Sequence, residues 1–243
     1  MIETSAPSIR HALPVGQALA PAAPAYLQDH YWWAYVHPTA VRVFERQWLV
    51  NAILWGNYPR LRDAALDDLG DELPGRTLQI ACAYGDFTPR LAARCAAGGG
   101  SLDVVDVLSV QTDNLRGKLA PGAPVRLVNM DSSELAYAEA TFDRTVLFFL
   151  LHEQPEEVRR RTVAEALRVT KPGGRVVIVD YARPYAWNPL RWLFRPVLAR
   201  LEPFALDLWR RDLSAWTPPA WRDQTKRARR YFGGLYQKVA LTR

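Results

Sequence analysis

Cysteine is scarce in this chain: Cys82 and Cys95 are the only two. One falls in a β-rich run and the other in the helical run after it, which suits neither a disulfide framework nor a zinc site and fits a reducing cytoplasm. Also missing is any uncharged apolar run approaching the roughly 20 residues that span a bilayer. The N-terminus lacks the basic start and apolar stretch of a signal peptide, so the sequence predicts a protein that is neither secreted nor membrane-spanning. The most informative shortage is local. Residues 78–91, LQIACAYGDFTPRL, read like the first strand and turn of a nucleotide-cofactor site, where an acid and three closely spaced glycines are usual. Gln79, Ala81 and Ala83 stand in three of those places and only Gly85 remains. A decayed site, no site, or a site altered for different chemistry would each leave this trace.

What is present is enough for one large core: 243 residues, 49% hydrophobic and 23% charged, the composition of a globular chain. The net charge of +6 is unevenly spread. Residues 185–243 hold 12 Lys/Arg against 4 Asp/Glu, while the rest is slightly acidic. A basic segment of this kind serves an anionic membrane, a nucleic acid or solubility alone.

The chain divides into an Ala/Pro-rich arm (1–25), a helical cap (26–72), an α/β core (73–184), an amphipathic helical insert (185–230) and a final hairpin strand (231–243). In the cap, Val41, Phe44, Trp48, Ile53 and Trp55 fall at helical spacing and predict one apolar face. From Gly75 on, the runs TLQIACA, SLDVVDVL, VRLVNMD, RTVLFFLL and GRVVIVDY are nearly continuous in apolar residues, as strands buried on both faces of a parallel sheet must be. Helical runs separate them, and the last of these is expected to stop at KPGG. The alternation predicts a doubly wound α/β fold. In the insert, Pro196 and Pro203 are expected to divide the apolar pattern into two or three short helices.

Ligands of such sheets sit beyond the carboxyl ends of the strands, and that position selects the candidates. The turn 81–86 leads into a helix. Asp106, followed by Val107, closes the second strand 21 residues after Gly85, an interval that lets an acid reach both ribose hydroxyls. Asp131 and Ser132 close the third strand, where a carboxylate can accept from an adenine amino group. Phe149 ends the fourth. Each signal alone is as readily a helix cap or a loop residue; together, in order, they predict a nucleoside-type site.

On these residues the sequence resembles the class I S-adenosylmethionine (SAM)-dependent methyltransferases over 75–183 and the last strand. The resemblance implies a mostly parallel seven-stranded sheet of order 3-2-1-4-5-7-6, with Gly85, Asp106 and Asp131 at SAM-contacting positions. The flanking segments YWWAYVHPTAVRVFERQWLVNAILWGN, FFLLHEQP, LEPFALDLWR and YFGGLYQKV are similar to the RquA-type rhodoquinone-biosynthesis proteins, which share the altered turn. That resemblance implies replacement of a ubiquinone methoxy group by an amino group, with SAM as amino donor and Mn(II) in support.

The altered turn then has a chemical reading. A carboxylate near the SAM amine favours the ammonium, which has no lone pair with which to attack a quinone; neutral Gln79 removes that bias. Addition of the amine at the methoxy-bearing carbon, loss of methanol and cleavage of the nitrogen–Cα bond would follow, with a metal at a quinone carbonyl as Lewis acid. Residues expected near the reacting groups are Gln79, Tyr84, His152 and Glu153, with Tyr31 and His37 from a segment folded over the site. His152, Glu153 and Asp180 are the expected metal ligands, against the plainer readings of a packed His, a capping Glu and a structural Asp.

A polyprenyl quinone resides in the bilayer. Trp187, Trp192, Phe194, Phe204 and Trp209 among five arginines in 185–211 suit an interfacial helix on an anionic surface as well as a plain lid. The expectation is a cytoplasmic protein peripherally associated with the inner membrane, with no nucleic-acid partner. Alternatives left open are a conventional methyltransferase acting on a quinone or lipophilic phenol, and a noncatalytic lipid-binding or assembly protein of the same fold.

Overall fold

The computed structural model describes residues 23–31, 38–221 and 226–243. His37 and most of the N-terminal arm lie outside the described residues.

Seven strands form one sheet in the order β3-β2-β1-β4-β5-β7-β6. β1 (Arg76–Ile80) is central and pairs in parallel with β2 (Ser101–Asp106) and with β4 (Phe142–Phe148). β3 (Val125–Asn129) extends one side and β5 (Thr170–Tyr181) the other, both parallel. β7 (Tyr236–Thr242) lies antiparallel between β5 and β6 (Lys226–Tyr231). The apolar runs become the fully buried centre of this sheet: Leu78, Ile80, Val104, Val105, Val146, Leu147, Val177 and Ile178 are all inaccessible to solvent. At roughly 25 cal/mol per Å² of apolar surface, such residues supply most of the driving force for folding.

The helices α5 (Phe87–Ala97), α6 (Ser109–Arg116) and α7 (Glu156–Val169) complete the βα units. Before the sheet come α1 (Ala25–Tyr31), α2 (Pro38–Phe44), α3 (Gln47–Ile53) and α4 (Tyr58–Leu69), and in the insert α8 (Leu190–Leu201) and α9 (Asp207–Arg210). Among the described residues no helix is long and apolar enough to cross a membrane.

Three local expectations are corrected. KPGG does not end α7: β5 already begins at Thr170, and residues 171–174 bulge out of register between the pairs Phe142–Thr170 and Arg144–Arg175. Pro196 does not break its helix, because α8 runs through it. The carbonyl it leaves without an amide partner belongs to exposed Trp192, where water can take the bond. The basic segment 226–230, assigned to the insert, is most of β6, an edge strand whose alternation is masked by Arg227, Arg229 and Arg230. Charged side chains on an edge guard it against pairing with other chains.

Candidate functional site

The turn after β1 is held in an uncommon backbone conformation. Ala81 sits at φ +70°, the left-handed region that costs a non-glycine residue about 1–2 kcal/mol, and its N–H donates to the Val105 carbonyl at 2.8 Å. An alanine thus holds a conformation that favours glycine. Phe149, at the exit of β4, is likewise left-handed at φ +56°. Both line one cavity, and strained residues persist only where the surrounding structure over-determines them. Replacing Ala81 by Gly is expected to stabilise the fold by about 0.5–1 kcal/mol, strain relief less the entropy of a freer unfolded chain. Urea unfolding measures it, and a loss of stability would mean that the Ala81 methyl earns more in packing than the strain costs.

Asp106 ties the two strand exits together. Its Oδ2 accepts from the Cys82 N–H at 2.8 Å and its Oδ1 from the Leu108 N–H at 2.9 Å. Burial disfavours the charged form and pushes its pKa up to about 6, against the stabilising effect of those two bonds. At neutral pH it is an anion with acceptor capacity to spare. Asp131 accepts from the Ser133 N–H at 2.7 Å. The Ser132 hydroxyl is fixed by Thr162 at 3.0 Å and by the Gln154 amide at 2.9 Å.

These groups share a cavity of about 60 Å³ with Ala81, Val107, Phe149 and Glu153. Pro24, Tyr26 and Leu27 of the α1 segment line it as well, and Tyr26 hydrogen-bonds Gln154. The cavity is well below the roughly 300 Å³ at which small-molecule pockets begin, and the α1 segment forms part of its wall. The donor and acceptor set suits a nucleoside.

Four of the expected cofactor residues lie off the cavity wall. Gln79 is fully buried. Its Nε2 donates to the Ala81 carbonyl at 2.9 Å, and its Oε1 has no hydrogen-bond partner among the described residues. Gly85 faces the cap instead: a Cβ there would stand 2.5 Å from the Tyr58 hydroxyl. Its N–H donates to Glu45 Oε1 at 3.0 Å. The Lys118 ammonium donates to the same oxygen at 2.7 Å and to the carbonyls of Ala83 and Gly85 at 3.1 and 3.0 Å. Asn114 holds the other Glu45 oxygen at 2.7 Å. Tyr84 stacks on Phe44 at 6.2 Å, and its hydroxyl accepts from Gln111. The glycine-poor turn is therefore clamped from outside by an ion pair that sequence reasoning missed. Glu45 and Lys118 are 73 residues apart, and no local pattern announces such a contact.

The expected metal ligands are brought together but not as a metal site. Asp180 is fully buried and its oxygens are occupied. Oδ2 accepts from the N–H groups of Leu151 at 2.7 Å and His152 at 3.3 Å. Oδ1 meets His152 Nδ1 at 3.0 Å and the Tyr181 N–H at 2.7 Å. The carboxylate thus orients the turn and the imidazole. His152 Nε2 lies 3.7 Å from Glu153 and 3.9 Å from Glu202. Burial opposes its charge, but Asp180, Glu202 and Glu153 outweigh burial and push its pKa up to about 9, so the ring is a cation at neutral pH. Among the described residues no group of three His, Cys, Asp or Glu could hold a metal ion. The expected Mn(II) has no assembled donor set here. Tyr31, buried on α1, hydrogen-bonds Glu202, so a polar chain runs from Tyr31 through Glu202 toward His152 and Asp180. Glu202, in the insert, was not among the sequence candidates.

Known proteins share this architecture. A family model described as a methyltransferase domain matches residues 77–174. The ubiquinone/menaquinone biosynthesis C-methyltransferase UbiE of Idiomarina loihiensis is 33% identical over 134 residues, 54% of this chain and 50% of that protein. The demethylmenaquinone methyltransferase of Beutenbergia cavernae is 33% identical over 157 residues, 63% of this chain and 60% of that protein. The chain thus spans about half to three-fifths of the length of these curated relatives. Among solved structures, the N-methyltransferase NodS of Bradyrhizobium japonicum in complex with S-adenosyl-L-homocysteine superposes with a TM-score of 0.57 at 14% identity, covering 90% of this chain and 98% of that one. The chain thus has the fold of the class I SAM-dependent methyltransferases, with a methyltransferase-domain match over residues 77–174.

Proposed function

We propose that this protein is a SAM-using transferase acting on the ring of a polyprenyl quinone, and that the group it transfers is the amino group of SAM, as in the conversion of ubiquinone to rhodoquinone. When bound, SAM supplies an electrophilic methyl on sulfur and a nucleophilic amine on Cα. Asp106 would accept the ribose hydroxyls and Asp131 the adenine amino group. Support for the quinone comes from relatives named for ubiquinone and menaquinone biosynthesis and from the RquA-type flanks.

The observation that carries amino transfer is the neutral, buried Gln79. A carboxylate at this position would hold the amine as ammonium; an amide leaves it free to lose its proton. Glu45 already takes the Gly85 N–H, so that donor is not open to the methionine carboxylate. His152, cationic at neutral pH, holds a proton beside Glu153 at the cavity, where it would serve a quinone oxygen as general acid.

The second reading is methyl transfer to a ring carbon, which the relatives' names favour. Incubation with ubiquinone, Mn(II) and SAM labelled either at the amino nitrogen or at the methyl carbon separates the two by the mass of the quinone. Nitrogen label is expected in the ring. Gln79→Glu, nearly isosteric, is expected to lower amination at least roughly tenfold by restoring the ammonium bias. Methyl label in the quinone, or amination untouched by Gln79→Glu, would overturn amino transfer.

A further inference from the structure

A second cavity lies beyond the end of β5, between α8 and α9. It measures about 380 Å³, and its walls carry Arg183, Arg191, Arg195 and Arg210 with Trp192 and Trp209. Among the described residues no Asp or Glu lines it. Arg210 pairs with Asp207 at 3.3 Å in an exposed pair, and Arg191 lies over the Trp192 ring at 5.0 Å. Arg183 and Arg195 have no carboxylate partner among the described residues. Guanidinium groups gathered without counter-charge repel one another unless an anion joins them, and their planar forks suit phosphate oxygens.

The groove adjoins an apolar surface facing water. α8 buries only Phe194 and Leu198. Its outer side carries Trp192, 67% exposed, with Leu193, Val197 and Leu201, and Trp187 just before the helix is 73% exposed. The cap abuts α8 and carries exposed tryptophans of its own: Trp55 lies 5.3 Å from Phe194 and is 48% exposed, and Trp48 on α3 is 66% exposed. Exposed tryptophan and leucine beside arginine is the make-up of a helix lying in the headgroup layer, apolar side in the acyl boundary. A soluble phosphate ligand would use the groove and leave the tryptophans unexplained; an anionic bilayer uses both.

We infer that the outer face of α8, the Trp48–Trp55 edge and the arginine groove form one docking surface for an anionic phospholipid bilayer, with headgroup phosphate in the groove. The excess positive charge of residues 185–243 complements that partner. The inference stands apart from the proposed reaction, since its test needs neither SAM nor quinone.

The full chain is sedimented with vesicles of phosphatidylcholine alone and of phosphatidylcholine with about 30 mol% phosphatidylglycerol. Binding is expected to the anionic vesicles only. The paired substitutions R183E/R195E and, separately, W192S/L193S are each expected to weaken it at least roughly tenfold, with circular dichroism showing the fold intact. Should charge reversal disturb folding, R183Q/R195Q tests the same groove. Equal binding to both vesicle types, or binding untouched by either pair, would overturn the inference. So would saturable binding of inorganic phosphate in calorimetry, lost in R183E/R195E, without any vesicle binding.

Discussion

Asp106→Asn is expected to weaken SAM binding by roughly 30- to 100-fold, about 2–3 kcal/mol, because hydroxyl donors to an ionised carboxylate form bonds about twice as strong as neutral ones. Only one acceptor oxygen remains in the variant, and it must serve Cys82 and Leu108 as well as the ribose. The wild-type carboxyl, with its pKa pushed up to about 6 by burial, also gives binding a pH dependence. A proton must leave before two hydroxyls can donate, so affinity holds above about pH 6 and falls by about tenfold per unit below it. Calorimetric titration across pH 5–8 measures both effects. A flat profile for the wild type, or an unchanged affinity for the variant, would remove Asp106 from the cofactor site. Stability without ligand runs the opposite way. The folded state holds the Asp106 proton more tightly than the unfolded chain does, so its contribution is most favourable below 3.8 and is lost as pH rises through about 6.

Arg159→Met is expected to destabilise the protein by about 3–5 kcal/mol, the range for breaking a buried charged network by removing one partner. Arg159 is fully buried on α7. Its Nε donates to the Leu151 carbonyl at 2.8 Å, and its Nη2 to the carbonyls of Gln154 at 2.8 Å and Phe204 at 2.9 Å. The guanidinium lies 4.7 Å over the buried Trp216 ring. One side chain thus pins the turn after β4, which carries His152 and Glu153, to the insert that carries Glu202. Methionine leaves three carbonyls without that donor. Chemical denaturation gives the stability change, and a loss under about 1 kcal/mol would show that water replaces the guanidinium without difficulty. SAM affinity is expected to drop in the same variant because Glu153 and Gln154 line the cavity.

The fold was legible wherever burial imposes a period. β1, β2, β4 and β5 announce themselves because both faces of their apolar stretches are covered, whereas β3, on the edge and only half-buried, was legible from its apolar content alone. β6 was not legible, since an edge strand written as KRARRY has little apolar content to mark it. Of the candidate site, the placing of Asp106 and Asp131 at or beyond strand ends, on one cavity, was legible. The rest depends on contacts remote in sequence: Glu45 with Lys118, Tyr31 with Glu202, Arg159 with Phe204. The left-handed φ of Ala81 was hidden for a different reason. The absence of a glycine reads as the absence of its conformation, whereas here an alanine holds it.

The packing of α1 beside the cavity bears on cofactor affinity in a way that the strand-end residues alone would not suggest. Leu27 and Tyr31 pack on Leu108, and Tyr26 and Phe204 seal the edge of that cluster. The loop from Asp106 to Leu108 is thus both the surface on which α1 packs and the place proposed for the nucleoside. Should cofactor entry require α1 to move aside, the apparent affinity for SAM would be the intrinsic affinity scaled by the fraction of molecules in which it has done so. Substitutions that loosen Leu27 or Phe204 would tighten cofactor binding without touching the cofactor.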